Sequence, residues 1–388
     1  MNKILLILGL NGFIVMADNW VVSPLLPAIS GSLGVAVTNA GLLITAYMIP
    51  FGIFQLIFGP LADRFGKKLI INISMIVFTL ATALCVVGSS LTDLGIYRAL
   101  TGIFAASVMP TSLALIGDIF PMKERQSAIG TFMGIAYLGQ GMSMAIGGLI
   151  AYYLNWRAVF GLYAMMAVLI TALLMTAGRQ IQSQGNPDAK LFSEYRNILQ
   201  KPSNIVLYVA ILSEGILIIG SFSYLGGFLD NAFHLNYLMI GLIMTLFGFF
   251  AMVGGRLSGK IAMKTGRMKV LGTGLILASY SDLMLYLYGH NLAAVMASIS
   301  LLGLGFMFAQ SSLLTLATEA AENARGAAMS LVAFCFMGGG GVGTAIGGRI
   351  IERAGYTGLF SLYGILLFVL LFYIIMFLKG NAPEEAAV

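Results

Sequence analysis

The chain has 388 residues, of which 59% are hydrophobic and only 9% charged. A soluble domain carries about 25% charged residues, so no water-soluble fold buries this much apolar surface and lipid must be the solvent for much of it. The net charge of +6 fits basic loops at a membrane surface rather than a nucleic-acid face, and Cys85 and Cys335 lie in apolar runs that suggest no disulfide.

Apolar stretches of about 20 residues read as membrane-spanning helices. In chain order they fall near 4–27, 38–61, 69–90, 94–117, 126–151, 158–178, 203–226, 237–259, 270–289, 292–317, 326–350 and 358–378. The first could be a signal peptide cleaved after Ala17, but its loss would leave an odd number of spans. Connections are short except for the polar stretch from Arg179 to Lys201, which includes Gln182-Ser183-Gln184-Gly185-Asn186-Pro187-Asp188 and reads as a linker. The predicted fold class is an all-α membrane protein of twelve transmembrane helices. It divides into a first six-helix bundle over 1–178, a linker over 179–202 and a second bundle over 203–388.

Charge sets the expected orientation. With the N-terminus inside, the cytoplasmic loops hold 16 of the 21 basic residues, among them Arg64, Lys67, Lys68, Lys123, Arg125, Arg179, Lys190, Lys260, Lys264, Arg267 and Lys379. The outside loops hold Arg157, Arg349 and Arg353, while Arg98 and Arg256 fall within spans. This bias predicts an inner-membrane protein with both termini cytoplasmic.

The halves repeat at an offset of 200. Gly59-Pro60-Leu61-Ala62-Asp63-Arg64-Phe65-Gly66-Lys67 falls over Gly259-Lys260-Ile261-Ala262-Met263-Lys264-Thr265-Gly266-Arg267, and Ala145-Ile146-Gly147-Gly148 over Ala345-Ile346-Gly347-Gly348. Phe160, Leu162 and Tyr163 meet Phe360, Leu362 and Tyr363, and Arg125 meets Arg325. Two parallel repeats predict two bundles with a substrate cavity between them at mid-membrane.

Gly59 to Lys68 resembles the loop signature between helices 2 and 3 of the major facilitator superfamily. Asp18 with Pro24-Leu25-Leu26-Pro27, Arg98 with Gly102, and Trp156-Arg157 before Phe160 resemble the 12-helix drug:proton antiporter branch. One departure is Ser143-Met144, standing where that branch carries Gly-Pro in helix 5. The resemblance implies a secondary transporter that needs no cofactor. It also implies that Asp63 packs on the cytoplasmic N-terminus of helix 11, near Arg325-Gly326, and locks the outward-open state. Gly59, Asp63, Arg64, Gly66, Lys67 and Arg125 are the gating-motif candidates, with Asp118 and Glu124 as further members of a charge network.

A charge at the membrane centre costs at least about 2.5–3.5 kcal/mol, so ionisable residues there are candidates for proton coupling. Asp18 lies roughly 21 Å along helix 1 at 1.5 Å per residue, and Arg98 enters helix 4 from outside, so the two share a depth. They are expected to pair when Asp18 is ionised and part when it is protonated, or else to form a static pin between helices 1 and 4. Glu214 and Asp282 lie near mid-membrane with no basic residue at their depth; each is a proton or cation site, or, for Asp282, a hydrogen-bonded packing residue. His234 and His290 fall in outside loops, so carboxylates would carry any protons.

Polar or aromatic candidates for the cavity wall are Tyr47, Gln55, Tyr137, Gln140, Tyr224 and Gln310. The 23 Met and 25 Phe residues suit bulky lipophilic substrates, and sparse charge argues against phosphate esters. The glycine runs 139–148 and 338–348 predict close helix contacts. Seven of nine prolines precede residue 190, which predicts most bending in the first half. No Walker loop, metal cluster or nucleophile–base pair is evident, so neither ATP coupling nor enzyme chemistry is expected. The expected function is proton-coupled export of lipophilic or cationic small molecules by a monomer in the lipid bilayer, with proton-linked movement of a sugar or amino acid as the alternative.

Overall fold

The protein is described here by a computed structural model, which covers residues 3–180, 183, 185, 193–321 and 324–378. Most of the polar linker, Lys190 and the tail from Lys379 lie outside the described residues, as do the side chains of Lys123 and Arg179. Among the described residues every regular element is a helix. Lipid dictates this, since a backbone without water must satisfy its own hydrogen bonds.

Span 1 comprises Lys3–Trp20 and Val22–Leu33, parted at Val21. Spans 2 to 6 are Val37–Phe65, Lys67–Val87, Leu91–Ile119, Met122–Tyr153 and Trp156–Thr176. A short helix, Ser193–Leu199, leads into span 7, which is built from Pro202–Glu214, a π-helical turn Gly215–Ile219, Gly220–Ser223 and Leu225–Phe233. Spans 8 to 10 are Tyr237–Thr265, Arg267–Tyr288 and Leu292–Ala320. Spans 11 and 12 share the helical stretch Arg325–Phe377, divided only at Gly355 with φ 69° and ψ −178°. Arg349 and Arg353, expected in a loop, are therefore helical. Glycine tolerates that backbone where other residues strain.

The repeat is carried into the geometry. Spans 2 and 8 have bounds that differ by 200 at both ends. Gly66 (φ 98°) and Gly266 (φ 88°) make the same turn into spans 3 and 9, and Gly34 and His234 end spans 1 and 7 in the left-handed region. The Tyr163 hydroxyl donates to the Ser143 carbonyl at 3.4 Å and the Tyr363 hydroxyl to the Gly343 carbonyl at 2.7 Å. Span 7 leaves regular α-helix at its π turn and at Tyr224, and spans 11 and 12 part at a glycine, all without proline.

The halves meet along spans 2 and 11, spans 5 and 8, and the C-terminal parts of spans 1 and 7. The end carrying Arg64, Lys67, Lys260 and Lys264 is the basic end. Away from it the contacts are tight. A Cβ on Gly148 would lie 2.9 Å from the Gly241 Cα, and one on Gly248 3.1 Å from the Gly141 Cα. Further toward the basic end, Gly134 and Gly130 of span 5 have nothing within 4 Å. Spans 2 and 11 are close as well, and stay so: a Cβ on Gly52 would lie 2.9 Å from the Gly338 nitrogen, and one on Gly59, nearer the basic end, 3.7 Å from the Ser330 hydroxyl oxygen. Both pairs therefore meet at glycines, and span 5 has open space beside its glycines toward the basic end.

Described residues of the linker lie along that end. The Ser183 hydroxyl accepts from the Lys67 backbone N–H at 2.8 Å, and the Tyr195 hydroxyl donates to the Leu56 carbonyl at 3.1 Å.

Filling the crossing should be costly. Gly148→Leu is expected to lower stability by about 1–3 kcal/mol through overpacking, read as a fall in melting temperature in detergent. Gly95→Leu, with nothing within 4 Å of its Cβ, should leave it unchanged.

Candidate functional site

Span 1 is apolar except at Asn11 and the consecutive Asp18-Asn19, followed by Trp20. Pro24 cannot donate to the carbonyl four residues before it, so the helix weakens just beyond these residues and breaks at Val21. Three successive side chains then meet three different neighbours.

Asp18 turns into the first half. Arg98 of span 4 donates from Nη1 to Asp18 Oδ2 at 2.6 Å and from Nη2 to the Asp18 carbonyl at 3.3 Å. Both side chains are buried. The guanidinium also lies over the Tyr47 ring at 4.3 Å and near the Phe160 ring at 5.8 Å. A desolvated cation gains on such faces, so Arg98 is held by a carboxylate and by aromatic rings. Gly102, one turn along span 4, lets the Tyr47 backbone come close, and a Cβ there would lie 3.0 Å from its carbonyl carbon. Asp18 Oδ1, Arg98 Nε and the Tyr47 hydroxyl have no hydrogen-bond partner. Tyr47 thus packs on Arg98 and is buried, and does not stand open as a cavity wall.

Asn19 turns to span 11, where its amide approaches Met337 Sδ at 4.0 Å. Trp20 turns to the second half and packs on Phe222 and Phe247, with ring centroids 5.3 and 5.8 Å away. Phe247 continues through Phe306 to Phe336 in a stacked aromatic row.

The second half places its acids differently. Glu214 is buried at the start of the π turn, and neither carboxyl oxygen has a hydrogen-bond partner. Such turns interrupt the regular backbone ladder and often sit at functional positions. Asp282 of span 9 is also buried, and it accepts from the Ser221 hydroxyl of span 7 at 2.6 Å while its Oδ2 is unpartnered. Gly364 of span 12 closes around it. Asp18–Arg98 is thus brought together, whereas Glu214 and Asp282 stay apart from that pair.

Beyond Ser223, the broken end of span 7 frees carbonyls that the first half uses. The Ser23 hydroxyl lies 3.1 Å from the Phe222 carbonyl and 2.9 Å from that of Ser223. The Tyr224 hydroxyl lies 2.9 Å from the Thr344 carbonyl and 3.4 Å from that of Thr38, and Thr38 donates to Glu352 at 2.9 Å. Tyr224, proposed as a cavity residue, is buried in this seal between the halves. Gln55 and Gln140 are buried too. Gln310 is half-buried with Oε1 unpartnered. Tyr137 is 44% exposed, on the face of span 5 that carries Gly134 and Gly141, where spans 5 and 8 part.

At the basic end Lys67 bonds Asp118 at 2.6 Å and lies 3.9 Å from Asp63. Arg64 lies beside the Phe65 ring, and Arg125 donates to the Gly117 carbonyl rather than to an acid. Asp63 is 60% exposed. The resemblance ties its contact with the start of span 11 to the outward-open state. Across the repeat, Arg267 pairs with Glu319, while Met263 replaces the acid and is exposed. Ser143 continues span 5 without a kink and donates to the Gln140 carbonyl.

The profile of the Major Facilitator Superfamily matches residues 8–344 and 227–388. The chain belongs to the major facilitator superfamily. It is a multi-pass membrane transporter of a small-molecule substrate and not an enzyme. It is 28% identical over 381 residues to the MFS-type transporter YceJ of Bacillus subtilis (strain 168), covering 95% of this chain and 94% of that one. Partial matches include the multidrug transporter protein MdtP of the same organism (35% over 189 residues, 48% of this chain and 34% of that one). Another is the quinolone resistance protein NorA of Staphylococcus aureus (strain Mu50 / ATCC 700699), 34% identical over 151 residues, 39% of each chain. These relatives support the drug-efflux branch of the superfamily. In fold the chain is similar to a bacterial homologue of the human lysosomal transporter Spinster in an inward-facing, occupied conformation. The TM-score is 0.81 at 18% identity, covering 99% of this chain and 98% of that one.

The sequence reading passed over Asn19 and Trp20. Their signal was there, in one of only two tryptophans set beside the intramembrane acid, but it takes the structure to show that they face the other half.

Breaking one partner of a buried ion pair typically costs about 3–5 kcal/mol, because the other charge is left uncompensated. Arg98→Ala is expected to destabilise this transporter by that order. The double variant with Asp18→Ala should lose clearly less than the sum of the single losses, as measured by a double-mutant cycle on unfolding in detergent.

Proposed function

We propose that this chain is a proton-coupled exporter of lipophilic or cationic small molecules that works by alternating access. The observation that carries the reading is the Asp18–Arg98 pair, sealed from solvent, with Arg98 also held on the Tyr47 ring. A proton arriving on Asp18 cancels its charge and leaves Arg98 with the Asp18 carbonyl and the aromatic face. Span 1, which carries both Asp18 and the seal serine Ser23, is then free to part from span 4.

In this reading the basic end faces the cytoplasm, as the distribution of Lys and Arg favours, and both termini lie there. The open space beside span 5 toward that end is the cytoplasmic opening, and the close glycine crossings form the outer closure. The bundles 1–178 and 203–388 rock against each other within a monomer. Asp63 reaches the start of span 11 when the cytoplasmic side shuts, with Gly59, Arg64, Gly66, Lys67 and Arg125 shaping its loop. Glu214 is the second proton or cation site, since a buried carboxyl without partners has its charged form stabilised by nothing nearby. Asp282, already bonded to Ser221, tunes the bend of span 7. One charge moving down the membrane potential yields about 2.3 kcal/mol per 100 mV, so one or two protons suffice to concentrate a substrate. The names of the multidrug and quinolone-resistance relatives point to the same substrate range.

The test uses proteoliposomes with an acidic interior and an internal pH dye. Adding lipophilic cations should trigger proton efflux in the wild type. Asp18→Asn should abolish that response while the protein stays folded, and Glu214→Gln should reduce it at least about tenfold, the rate effect of about 1.4 kcal/mol. An undiminished response in Asp18→Asn would exclude Asp18 as the coupling site.

A further inference from the structure

Two adjacent polar groups at the centre of the molecule are unused by the coupling pair. Asn19 and Trp20 are 5% and 3% exposed, and Asn19 Oδ1 and Trp20 Nε1 have no hydrogen-bond partner. Nearly all buried polar groups in folded proteins are bonded, so each exception calls for an account. Packing does not supply one. An indole N–H and an amide oxygen buried unpaired cost stability, and apolar side chains of similar shape would fill the same space without that cost.

Their position supplies the account. Asn19 meets Met337, next to Gly338, where spans 2 and 11 make their close crossing. Trp20 meets Phe247, next to Gly248, where spans 5 and 8 make theirs. Both residues therefore stand at the close crossings of the two halves, beyond which span 5 has open space toward the basic end. A molecule entering between the halves from that end arrives at an indole face, the rings of Phe222 and Phe247, one unused donor and one unused acceptor. Asp18 is the preceding residue on the same helix, so a ligand held here bears directly on the pair that couples protons.

We infer that Asn19 and Trp20 form the head of the substrate site and select planar aromatic molecules carrying an adjacent hydrogen-bond donor and acceptor, as in a lactam or cyclic amide. Trp20 Nε1 donates to the ligand carbonyl and Asn19 Oδ1 accepts from the ligand N–H, while the rings take the planar body. Charge is not required of the ligand at this position. The inference rests on the proposed transport reading, in which substrate passes between the halves.

The experiment exploits the two tryptophans of the chain. With Trp156→Phe as background, Trp20 is the sole tryptophan, and its fluorescence is followed while the purified full chain is titrated with phenanthridinone, a planar lactam. N-methylphenanthridinone, which keeps the ring and carbonyl but lacks the N–H, is the comparison. The expected result is saturable quenching by the lactam, with affinity at least tenfold weaker for the N-methyl compound. Asn19→Leu should erase that difference while leaving the melting temperature equal or higher. A purely structural asparagine would instead lower it. Equal affinity for the two compounds, no saturable quenching by either, or a retained tenfold difference in Asn19→Leu would overturn the assignment. Binding is read without a proton gradient. Lactam recognition without substrate-driven proton movement would therefore remove the coupling proposal and keep the site; the reverse would do the opposite.

Discussion

Everything in this molecule follows from backbone that has no water to bond. Continuous helices solve the problem along most of the chain, and the informative places are those where continuity fails. Span 1 breaks at Val21 and span 7 bends at 215–219 and again at Tyr224. Each interruption lies inside the protein and not against lipid, and freed groups are met by neighbours. The Ser23 hydroxyl from one half caps carbonyls of the other. The breaks are thus tolerated where the halves touch, which places the least regular backbone at the interface between them.

Charge obeys the same rule. Arg98 is tolerated in the interior because a carboxylate, a carbonyl and an aromatic face surround it. The planar guanidinium serves all three at once, which a lysine ammonium cannot. Glu214 has no such surroundings and Asp282 has one hydroxyl. The three acids therefore occupy three grades of support, set by the neighbours and not by depth in the membrane.

Much of the architecture was legible in the sequence because lipid leaves few options. Apolar length marked the spans, and the offset of 200 marked the repeat that Gly66 and Gly266 later display as matching turns. The pairing of Asp18 with Arg98 was legible because two opposite charges at one depth have few alternatives. Side-chain direction was harder. Tyr47, Tyr224, Gln55 and Gln140 share the composition expected of a cavity wall, yet they are buried in packing, because a helix in a bundle has neighbours on every face and composition does not say which face opens. The bends of span 7 and the single-residue division at Gly355 left no proline to announce them. The Arg349 and Arg353 loop vanished for the same reason.

That division has a mechanical consequence. Spans 11 and 12 are joined by one residue with non-helical backbone, so the joint has direction but no slack. A loop of several residues would let one helix slide while its neighbour stayed anchored in lipid. Here the Thr38 bond to Glu352 holds span 11 three residues before the joint, so a shift of span 11 reaches span 12 with only the rotation at Gly355 to absorb it.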